Sequence, residues 1–343
     1  MPTTNNNNDT PRRKNGFSTP YTGPQVSTWI TLPVLIFEFF IVVAPVLPLE
    51  AAIPCTIVFG ITAILAAFYA AMAQVIDPMD AHLARHLHKL EHGPPAIAEG
   101  EPEEDMKHCW ICDTQVAEHA MHCKYCNKCV ANFDHHCLWL NTCVGSANYH
   151  YFVMTMVFIT AMLMVHSSVQ VALTIDILLG GASKDRANAW FNANADGAII
   201  GIYIGFVAFD ALALSLVLQL LYFHWVLHKE GLTTYKYIVR EAGRNREKRK
   251  KETARKNQRT AAMRKANDEG NRFLAMRLFY GDMCPCCDPL PPLPEEEEEE
   301  PSYTPVQPTN NNGDEEEATD GMENGRPYGD ENDGVTFIAV KEA

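Results

Sequence analysis

The sequence predicts an all-α polytopic membrane protein with four transmembrane helices and a cytosolic cysteine-rich domain between the second and third. Three observations predict this fold class. Four apolar stretches each reach the ~20 residues of helix that cross a bilayer. Seven of the 11 cysteines lie within one short block, from Cys109 to Cys143. Basic residues flank the first and fourth stretches, and positive charge favours the cytosolic side of a membrane.

The apolar stretches set the domain boundaries. Residues 28–76 hold the first two predicted spans, and residues 149–227 hold the third and fourth with a short lumenal loop between them. The cysteine-rich domain occupies residues 77–148. Residues 1–27 are polar and rich in Asn, Pro and Thr, so we expect a disordered cytosolic tail there and no cleavable signal peptide.

The two C-terminal segments have opposite charge. Residues 228–281 are predicted to be helical, and the stretch from Arg240 to Lys265 carries 12 basic and three acidic residues. Beside a membrane, such charge favours anionic lipid headgroups, and the membrane spans argue against nucleic acid as the partner. Residues 282–343 carry 18 acidic and two basic residues and few apolar ones. That composition predicts a disordered tail.

The cysteine-rich block has the spacing of zinc ligands. It reads C-x2-C-x9-HC-x2-C-x2-C-x4-DHHC-x5-C, and clustered C-x2-C pairs with further Cys and His are typical of bound metal rather than of a disulfide framework. Two tetrahedral ions need eight ligands, so the sequence predicts two structural Zn²⁺ ions. The predicted ligands are Cys109, Cys112, His122, Cys123, Cys126, Cys129, His136 and Cys143.

One thiol remains after the ligands are assigned. Cys137 follows His135 and Asp134, and a thiol beside an imidazole and a carboxylate matches the pattern of nucleophile, base and orienting group. A free thiol has a pKa of ~8.5 and is mostly protonated at neutral pH. We therefore expect His135 to accept the proton of Cys137 and Asp134 to hold the imidazole. His136 is expected to bind zinc, so the two histidines should not be interchangeable.

The block from Cys109 to Phe152 resembles the cysteine-rich domain of the DHHC family of protein S-acyltransferases, the palmitoyltransferases. The likeness extends beyond the predicted ligands to Trp139, Asn141, Val144, Gly145, Asn148 and Phe152. The four spans, with this domain between the second and third, also match the architecture of that family. Asp77-Pro78 resembles the start of its Asp-Pro-Gly motif, and Thr233-Thr234 resembles the start of its Thr-Thr-x-Glu motif.

The sequence departs from the family pattern at several positions. Leu138 stands where most members have Pro after the DHHC cysteine, which places the chain with the branch that lacks this Pro. Met79 replaces the Gly of Asp-Pro-Gly, and Lys236 replaces the Glu of Thr-Thr-x-Glu. A basic residue that often precedes His122 is missing, so the coenzyme A phosphates would be bound by other residues such as Lys124 or Lys128.

The resemblance implies transfer of a palmitoyl group from palmitoyl-CoA to cytosolic cysteines of membrane-associated proteins, through an acyl-enzyme on Cys137. It implies that Trp139 and Phe152 line the acyl chain, although packing at the membrane interface is the alternative, and that Thr233 and Thr234 support the site. It also implies an endoplasmic reticulum or Golgi protein with both termini cytosolic. The tail cysteines either take acyl groups themselves or are free thiols: Cys284, Cys286 and Cys287.

Two other classes of function are compatible with parts of the sequence. A non-catalytic, membrane-anchored zinc-domain scaffold or adaptor would not require Cys137 with His135 and Asp134. A metal transporter would need ionisable residues inside several spans, and the candidates for this role are Glu38, His166 and Asp210. Glu38 would line an internal cavity or reach the interface beside a kink.

Overall fold

The computed structural model describes residues 11–93, 106–192, 194–280 and 290. Within these residues there are two compact units, one that ends at Lys236 and one that begins at Tyr237. Apart from residue 290, the predicted acidic tail and its three cysteines lie outside the described residues.

The described part of the chain is mostly helical. In chain order its α-helices are α1 (Gly23–Glu38), α2 (Leu49–Val75), α3 (Ala81–His92), α4 (Tyr149–Leu178), α5 (Ala182–Phe191), α6 (Asp196–Glu230), α7 (Thr234–Asp268) and α8 (Arg272–Tyr280). Helix α1 continues through a π-helical turn, Phe39–Val43, and a 3-10 turn, Ala44–Val46. Four of these elements are long and apolar enough to cross a membrane: α1 with its two turns, α2, α4 and α6. The four apolar helices predicted from the sequence are therefore present.

Helix α4 is the centre of the apolar bundle, because it packs against both α2 and α6. The core between the helices contains the rings of Phe39 and Phe59, which stack with centroids 3.9 Å apart. Tyr203 on α6 is fully buried in the same core and donates its hydroxyl to the backbone carbonyl of Val42 at 3.0 Å. The π-helical turn after α1 is thus held by a side chain from α6.

Local capping fixes where the first and last apolar helices begin and end. Thr22 is the N-cap of α1, and its Oγ1 accepts the backbone N–H of Gln25. The helix therefore starts at Gly23, earlier than the sequence predicts. Helix α6 ends at Glu230 because Gly231 takes a φ of 65°, a conformation that glycine adopts without steric cost.

The prediction of an all-α chain is wrong for the cysteine-rich domain. Six short strands form three separate two-stranded antiparallel sheets there. The strands are β1 (Met106–Cys109), β2 (Thr114–Ala117), β3 (Met121–Cys123), β4 (Lys128–Val130), β5 (His135–Cys137) and β6 (Thr142–Val144). In each hairpin the turn contains one residue with positive φ (Asp113, Asn127 or Asn141), and the residues that flank the turn pair across it.

The prediction of a disordered tail over residues 1–27 is also wrong for the described part. The Nδ2 of Asn141 donates to the carbonyls of Gly16, Ser18 and Pro20 at 3.1–3.3 Å, and the Nε2 of Gln25 donates to Gly16 at 2.7 Å. A Cβ on Gly16 would collide with the carbonyl oxygen of Leu140. This segment is therefore packed closely against the third hairpin by contacts made through its backbone.

The second unit contains the rest of α7 and all of α8. Helix α7 carries the predicted run of basic residues, and most of the lysines and arginines described there are exposed. In α8, Phe273 and Met276 are exposed, whereas Leu278 is buried. Within residues 228–281 the chain is helical to the end of α6 at Glu230, from Thr234 to Asp268 and from Arg272 to Tyr280.

Candidate functional site

The three hairpins of the cysteine-rich domain share one design. In each, the first strand ends on a cysteine, and these cysteines lie 14 residues apart at Cys109, Cys123 and Cys137. Each turn contains a residue with positive φ, namely Asp113 at 51°, Asn127 at 49° and Asn141 at 53°. Asp and Asn tolerate this conformation better than other non-glycine residues. The sequence therefore contains a 14-residue repeat, which the spacing of the turn residues would have revealed.

Four predicted ligands meet between the first two hairpins: Cys109, Cys112, His122 and Cys129. The Nδ1 of His122 lies 3.3 Å from the Sγ of Cys112 and 3.9 Å from the Sγ of Cys129. His122 and Cys129 face each other in the β3–β4 pair. We call this set the first Cys/His group.

The other four predicted ligands meet between the second and third hairpins: Cys123, Cys126, His136 and Cys143. The Nδ1 of His136 lies 3.5 Å from the Sγ of Cys126 and 3.6 Å from the Sγ of Cys143. His136 and Cys143 face each other in the β5–β6 pair. Each member of this second Cys/His group lies 14 residues after its counterpart in the first.

Both groups have the dimensions of a tetrahedral zinc site. With Zn–S near 2.3 Å and Zn–N near 2.0–2.1 Å, the edges of the tetrahedron are about 3.6–3.8 Å. Eight of the separations between ligand atoms lie between 3.3 Å and 4.0 Å, and all lie within 4.8 Å. The donor set of three thiols and one imidazole in each group also suits zinc. These clusters could therefore bind two zinc ions.

Cys137 lies outside both groups, although it is the counterpart of Cys109 and Cys123. The residue three positions after it is Leu140, whereas the first two hairpins have a second cysteine there. Cys137 is buried in an apolar cluster with Leu140, Phe152 and Met156. The third hairpin therefore keeps the first thiol of the repeat without a partner for a C-x2-C pair.

Strand β5 separates the two histidines. Side chains alternate between the two faces of a strand, so His135 and Cys137 project from one face of β5 and His136 from the other. His136 belongs to the second Cys/His group. His135 and the thiol are therefore left together on the face that the predicted ligands do not use.

Asp134 holds His135 and is itself held by the start of α7. The Nδ1–H of His135 donates to Oδ2 of Asp134 at 2.7 Å, and the backbone N–H of Thr234 donates to Oδ1 at 2.8 Å. Asp134 is buried. Thr234 is the first residue of α7, and the N-terminus of a helix favours a nearby negative charge.

Asp134 and His135 stabilise each other's charged form. Burial alone would lower the pKa of His135, but hydrogen bonds and charge interactions with Asp134 and Cys137 raise it to about 10. Burial alone would raise the pKa of Asp134, but the contact with His135 and the N–H of Thr234 hold it below its ordinary value. This raised pKa favours the imidazolium form of His135 beside the Asp134 carboxylate, so a proton that moves from the Cys137 thiol to His135 would be held there.

Two residues of the site, His224 and Tyr149, were not predicted from the sequence. His224 on α6 is buried, and its Nδ1 lies 3.1 Å from the hydroxyl of Tyr149, the first residue of α4. Ligand atoms of His224, His135 and Asp134 all lie within 4.8 Å of one another. The available signal was a histidine near the end of an apolar span, where ionisable residues are usually functional.

Of the four residues predicted to support the site, Phe152 and Thr234 lie beside the Asp134–His135 pair, and Trp139 and Thr233 occupy other positions. The ring of Phe152 is buried and lies 5.2 Å from the ring of His135 and 5.0 Å from that of His224. Trp139 lies in the turn of the third hairpin and is 36% exposed. Thr234 contacts Asp134 through its backbone, whereas the Oγ1 of Thr233 accepts the N–H of Lys236 at 3.2 Å. Phe152 and Thr234 thus border the Asp134–His135 pair.

Lys128 is not placed to bind the phosphates of coenzyme A. Its Nζ is buried and donates to Oδ1 of Asp77 and to the carbonyl of Arg13, both at 2.6 Å. Asp77 therefore joins the end of α2 to the second hairpin. Lys124, the other predicted candidate, lies over the ring of Tyr125 at 5.2 Å and is exposed.

The ionisable residues predicted within the spans form one buried cluster. His166 on α4 lies between two carboxylates, with Nδ1 2.7 Å from Oδ2 of Asp210 and Nε2 2.8 Å from Oε2 of Glu38. Gln170, one turn further along α4, lies 3.3 Å from the same oxygen of Glu38. Glu38 therefore faces the interior of the bundle, and the cluster joins α1, α4 and α6.

The comparisons with known proteins bear on the cysteine-rich domain. A family model described as DHHC palmitoyltransferase matches residues 102–241. The matched region contains all three hairpins and both Cys/His groups, and it extends through α4 and α6 to the first turns of α7. No curated protein matches the chain.

Proposed function

We propose that the chain is a protein S-acyltransferase that acts through a thioester on Cys137, because residues 102–241 match a family model described as DHHC palmitoyltransferase. The substrates are palmitoyl-CoA and cysteine side chains of membrane-associated proteins. The observation that carries the proposal is the position of Cys137. Its thiol lies outside both Cys/His groups and shares a strand face with His135, which Asp134 holds at 2.7 Å.

In the first step the acyl group moves from coenzyme A to the enzyme. His135 takes the proton of Cys137, and the thiolate attacks the thioester carbonyl of palmitoyl-CoA. The new bond joins Sγ of Cys137 to the acyl carbon, and the bond to the coenzyme A sulfur breaks. The imidazolium of His135 returns a proton to that leaving thiolate, while Asp134 stabilises the positive charge on the ring.

In the second step a cysteine of the target protein takes the acyl group. Neutral His135 accepts the proton of the incoming thiol, and the resulting thiolate attacks the thioester on Cys137. The leaving Cys137 thiolate recovers a proton from His135, which restores the resting site. One thioester is exchanged for another in each step, so the overall reaction needs no additional reactant.

The two Cys/His groups would hold two structural Zn²⁺ ions. Four protein ligands in each group leave no position for a reacting water, and such ions contribute folding energy rather than chemistry. With zinc bound, the residues of the second Cys/His group would hold β5 in a fixed position. His136 in the second group fixes β5, and β5 presents His135 and Cys137 together.

The proposed location is a membrane of the endoplasmic reticulum or Golgi, with four spans and both termini in the cytosol. The basic residues that precede α1 and those of α7 support this orientation, because positive charge stays on the cytosolic side. The run of basic residues in α7 would contact anionic lipids. The acyl chain would lie among the four helices beside Phe152, whose ring borders His135.

The proposal is tested by the acyl-enzyme itself. Purified protein, with the three tail cysteines replaced by serine, is incubated with labelled palmitoyl-CoA. We expect a hydroxylamine-labile label on Cys137. Cys137→Ser should abolish both this label and the transfer of the acyl group to a target peptide, without loss of zinc. A non-catalytic scaffold would bind zinc equally well and take up no label. Label at the original level on the Cys137→Ser protein would overturn the proposal.

A further inference from the structure

The basic helix α7 carries a line of positively charged side chains along one face. Residues three or four positions apart lie on the same side of a helix, and basic residues recur at this spacing over about four turns. We call this face the basic stripe: Arg244, Lys248, Lys251, Arg255 and Arg259. The run from Arg240 to Lys265 holds 12 basic and three acidic residues, so most of its positive charge is not balanced by acidic residues of the same run.

The stripe is accessible over its N-terminal half, where its first three residues are exposed. Two of them have a salt bridge about one turn away on α7. The Nη1 of Arg244 lies 2.8 Å from Oε1 of Glu241, and the Nζ of Lys251 lies 2.7 Å from Oε1 of Glu247. Exposed ion pairs of this kind contribute little to stability, so a ligand with several negative charges can replace them.

The chain returns to the middle of the stripe after α8. The Nη2 of Arg255 donates a hydrogen bond to the backbone carbonyl of Leu290 at 3.3 Å, although α8 ends at Tyr280. Leu290 is itself half-buried. The part of the chain that follows Leu290 therefore starts beside a residue of the stripe.

Six consecutive glutamates follow Leu290 at a short distance along the chain, at Glu295–Glu300. These glutamates lie outside the described residues. The five residues from Leu290 to Glu295 span at most about 17 Å, and the stripe extends about 17 Å from Arg255 to Arg244 at 1.5 Å per residue. A short tether of this kind gives an effective concentration of about a millimolar, so several individually weak ionic contacts can form together.

We propose that Glu295–Glu300 docks on the basic stripe of the same chain and competes there with anionic lipid headgroups. Six carboxylates meet five basic side chains, so docking neutralises the stripe. A membrane surface rich in anionic lipid would displace the glutamates, because it offers the same charge at high density. This contact does not depend on acyl transfer at Cys137.

The test couples lysines of the stripe to carboxylates of the tail. Full-length protein in phosphatidylcholine nanodiscs is treated with a carbodiimide, which joins a lysine Nζ to a carboxylate that it contacts. Mass spectrometry then identifies the crosslinked residues. We expect links from Lys248 and Lys251 to Glu295–Glu300 within one chain. These links should disappear in about 1 M salt, where the screening length falls to about 3 Å.

Two matched changes in the tail show whether this segment is the occupant. Four Glu→Gln changes at Glu295–Glu298 should reduce links from the stripe to Glu299 and Glu300 by about 10-fold, because four weak ionic contacts are lost. Asp314→Asn with Glu→Gln at Glu315–Glu317 removes four charges from another part of the tail and should leave the yield unchanged. Equal yields in the two variants would overturn the proposal. Links found only between different chains would overturn it too, because the occupant would then belong to a second copy.

Two matched changes in α7 test the stripe. Arg244→Gln with Arg255→Gln should lower the yield of links to the remaining lysines of the stripe. Arg246→Gln with Arg249→Gln, at exposed positions on another face of α7, should not, and equal loss in both variants would refute docking on this face. Phosphatidylserine in the nanodiscs should lower the yield of the parent protein, and an unchanged yield would refute competition with lipid. No measurement here uses acylation, so failure of Cys137 to take up label would reject only the enzyme proposal.

Discussion

The backbone N–H of Thr234 donates a hydrogen bond to Oδ1 of Asp134, 100 residues earlier in the chain, at 2.8 Å. The first residue of α7 therefore supports the carboxylate that orients His135. This hydrogen bond is made by the backbone, and the side chain of Thr234 adds to the lowering of the Asp134 pKa. A substitution that removes the N–H is needed to test its contribution.

Thr234→Pro should slow acylation of Cys137 by about 10- to 100-fold, because a hydrogen bond to a charged group contributes about 1.5–3 kcal/mol. Proline is tolerated in the first turn of a helix, so α7 should remain intact. Thr234→Val keeps the N–H and serves as the control. Single-turnover acylation rates decide the matter, and equal rates for the two variants would show that the contact does not support catalysis.

Double substitutions should reveal how the zinc ligands are grouped. Cys109→Ala with Cys112→Ala removes two ligands of one group and should cost one zinc per chain. Cys109→Ala with Cys123→Ala damages both groups and should cost two. Structural zinc contributes to folding, so both proteins should express poorly, unlike the control Cys55→Ala. One zinc retained by the Cys109–Cys123 pair would contradict the interleaved grouping.

The two adjacent histidines should fail in different ways. His135→Ala should keep two zinc ions but form the acyl-enzyme ~10²–10⁴-fold more slowly, the size of general-base help. Raising the pH towards the ordinary thiol pKa of ~8.5 should partly rescue it, because the thiolate then forms without a base. His136→Ala should lose one zinc and its stability. The zinc content and the acylation rate of each variant test these two predictions. Loss of zinc from His135→Ala with retention of zinc by His136→Ala would show that His136 is the base and His135 the ligand.

The buried cluster on α4 should be essential for stability. His166→Leu leaves the carboxylates of Glu38 and Asp210 without the imidazole between them, and loss of one partner of a buried ion pair costs about 3–5 kcal/mol. Thermal unfolding in detergent should show a clear fall in midpoint. His150→Leu, at an exposed position on the same helix, is the matched control. Similar midpoints for both variants would show that the cluster does not hold the helices together.

The packing of the N-terminal segment can be tested with two glycines. A Cβ at Gly16 would collide with the carbonyl oxygen of Leu140, whereas nothing lies within 4 Å of a Cβ at Gly23. Gly16→Ala should therefore release residues 11–22 and expose them to limited proteolysis, and Gly23→Ala should not. Equal protection of the segment in both variants would mean that its close packing is not needed to hold it.

The sequence predicted what depends on spacing and composition. The C-x2-C pairs, the DHHC residues and the four apolar stretches are local patterns, and the likeness to the DHHC family is confirmed by the match over residues 102–241. The predicted roles of Cys137 and His135 remain predictions. The rotation of each apolar helix about its own axis could not be predicted, because such a helix has no polar face in its sequence. The sequence therefore did not predict that His166 faces Glu38 or that His224 faces His135. The prediction for residues 11–22 was wrong because backbone carbonyls hold that segment, and its side chains give no sign of this.

The 14-residue repeat explains why one thiol of the cysteine-rich domain stands apart. Cys137 takes the place of Cys109 and Cys123, but Leu140 follows where the first two hairpins have their second cysteine. The third hairpin therefore gives only His136 and Cys143 to a Cys/His group, and Cys137 stays outside both groups at the end of β5. A hairpin with the shape of a metal knuckle but without its second cysteine thus holds a single buried thiol on a rigid support.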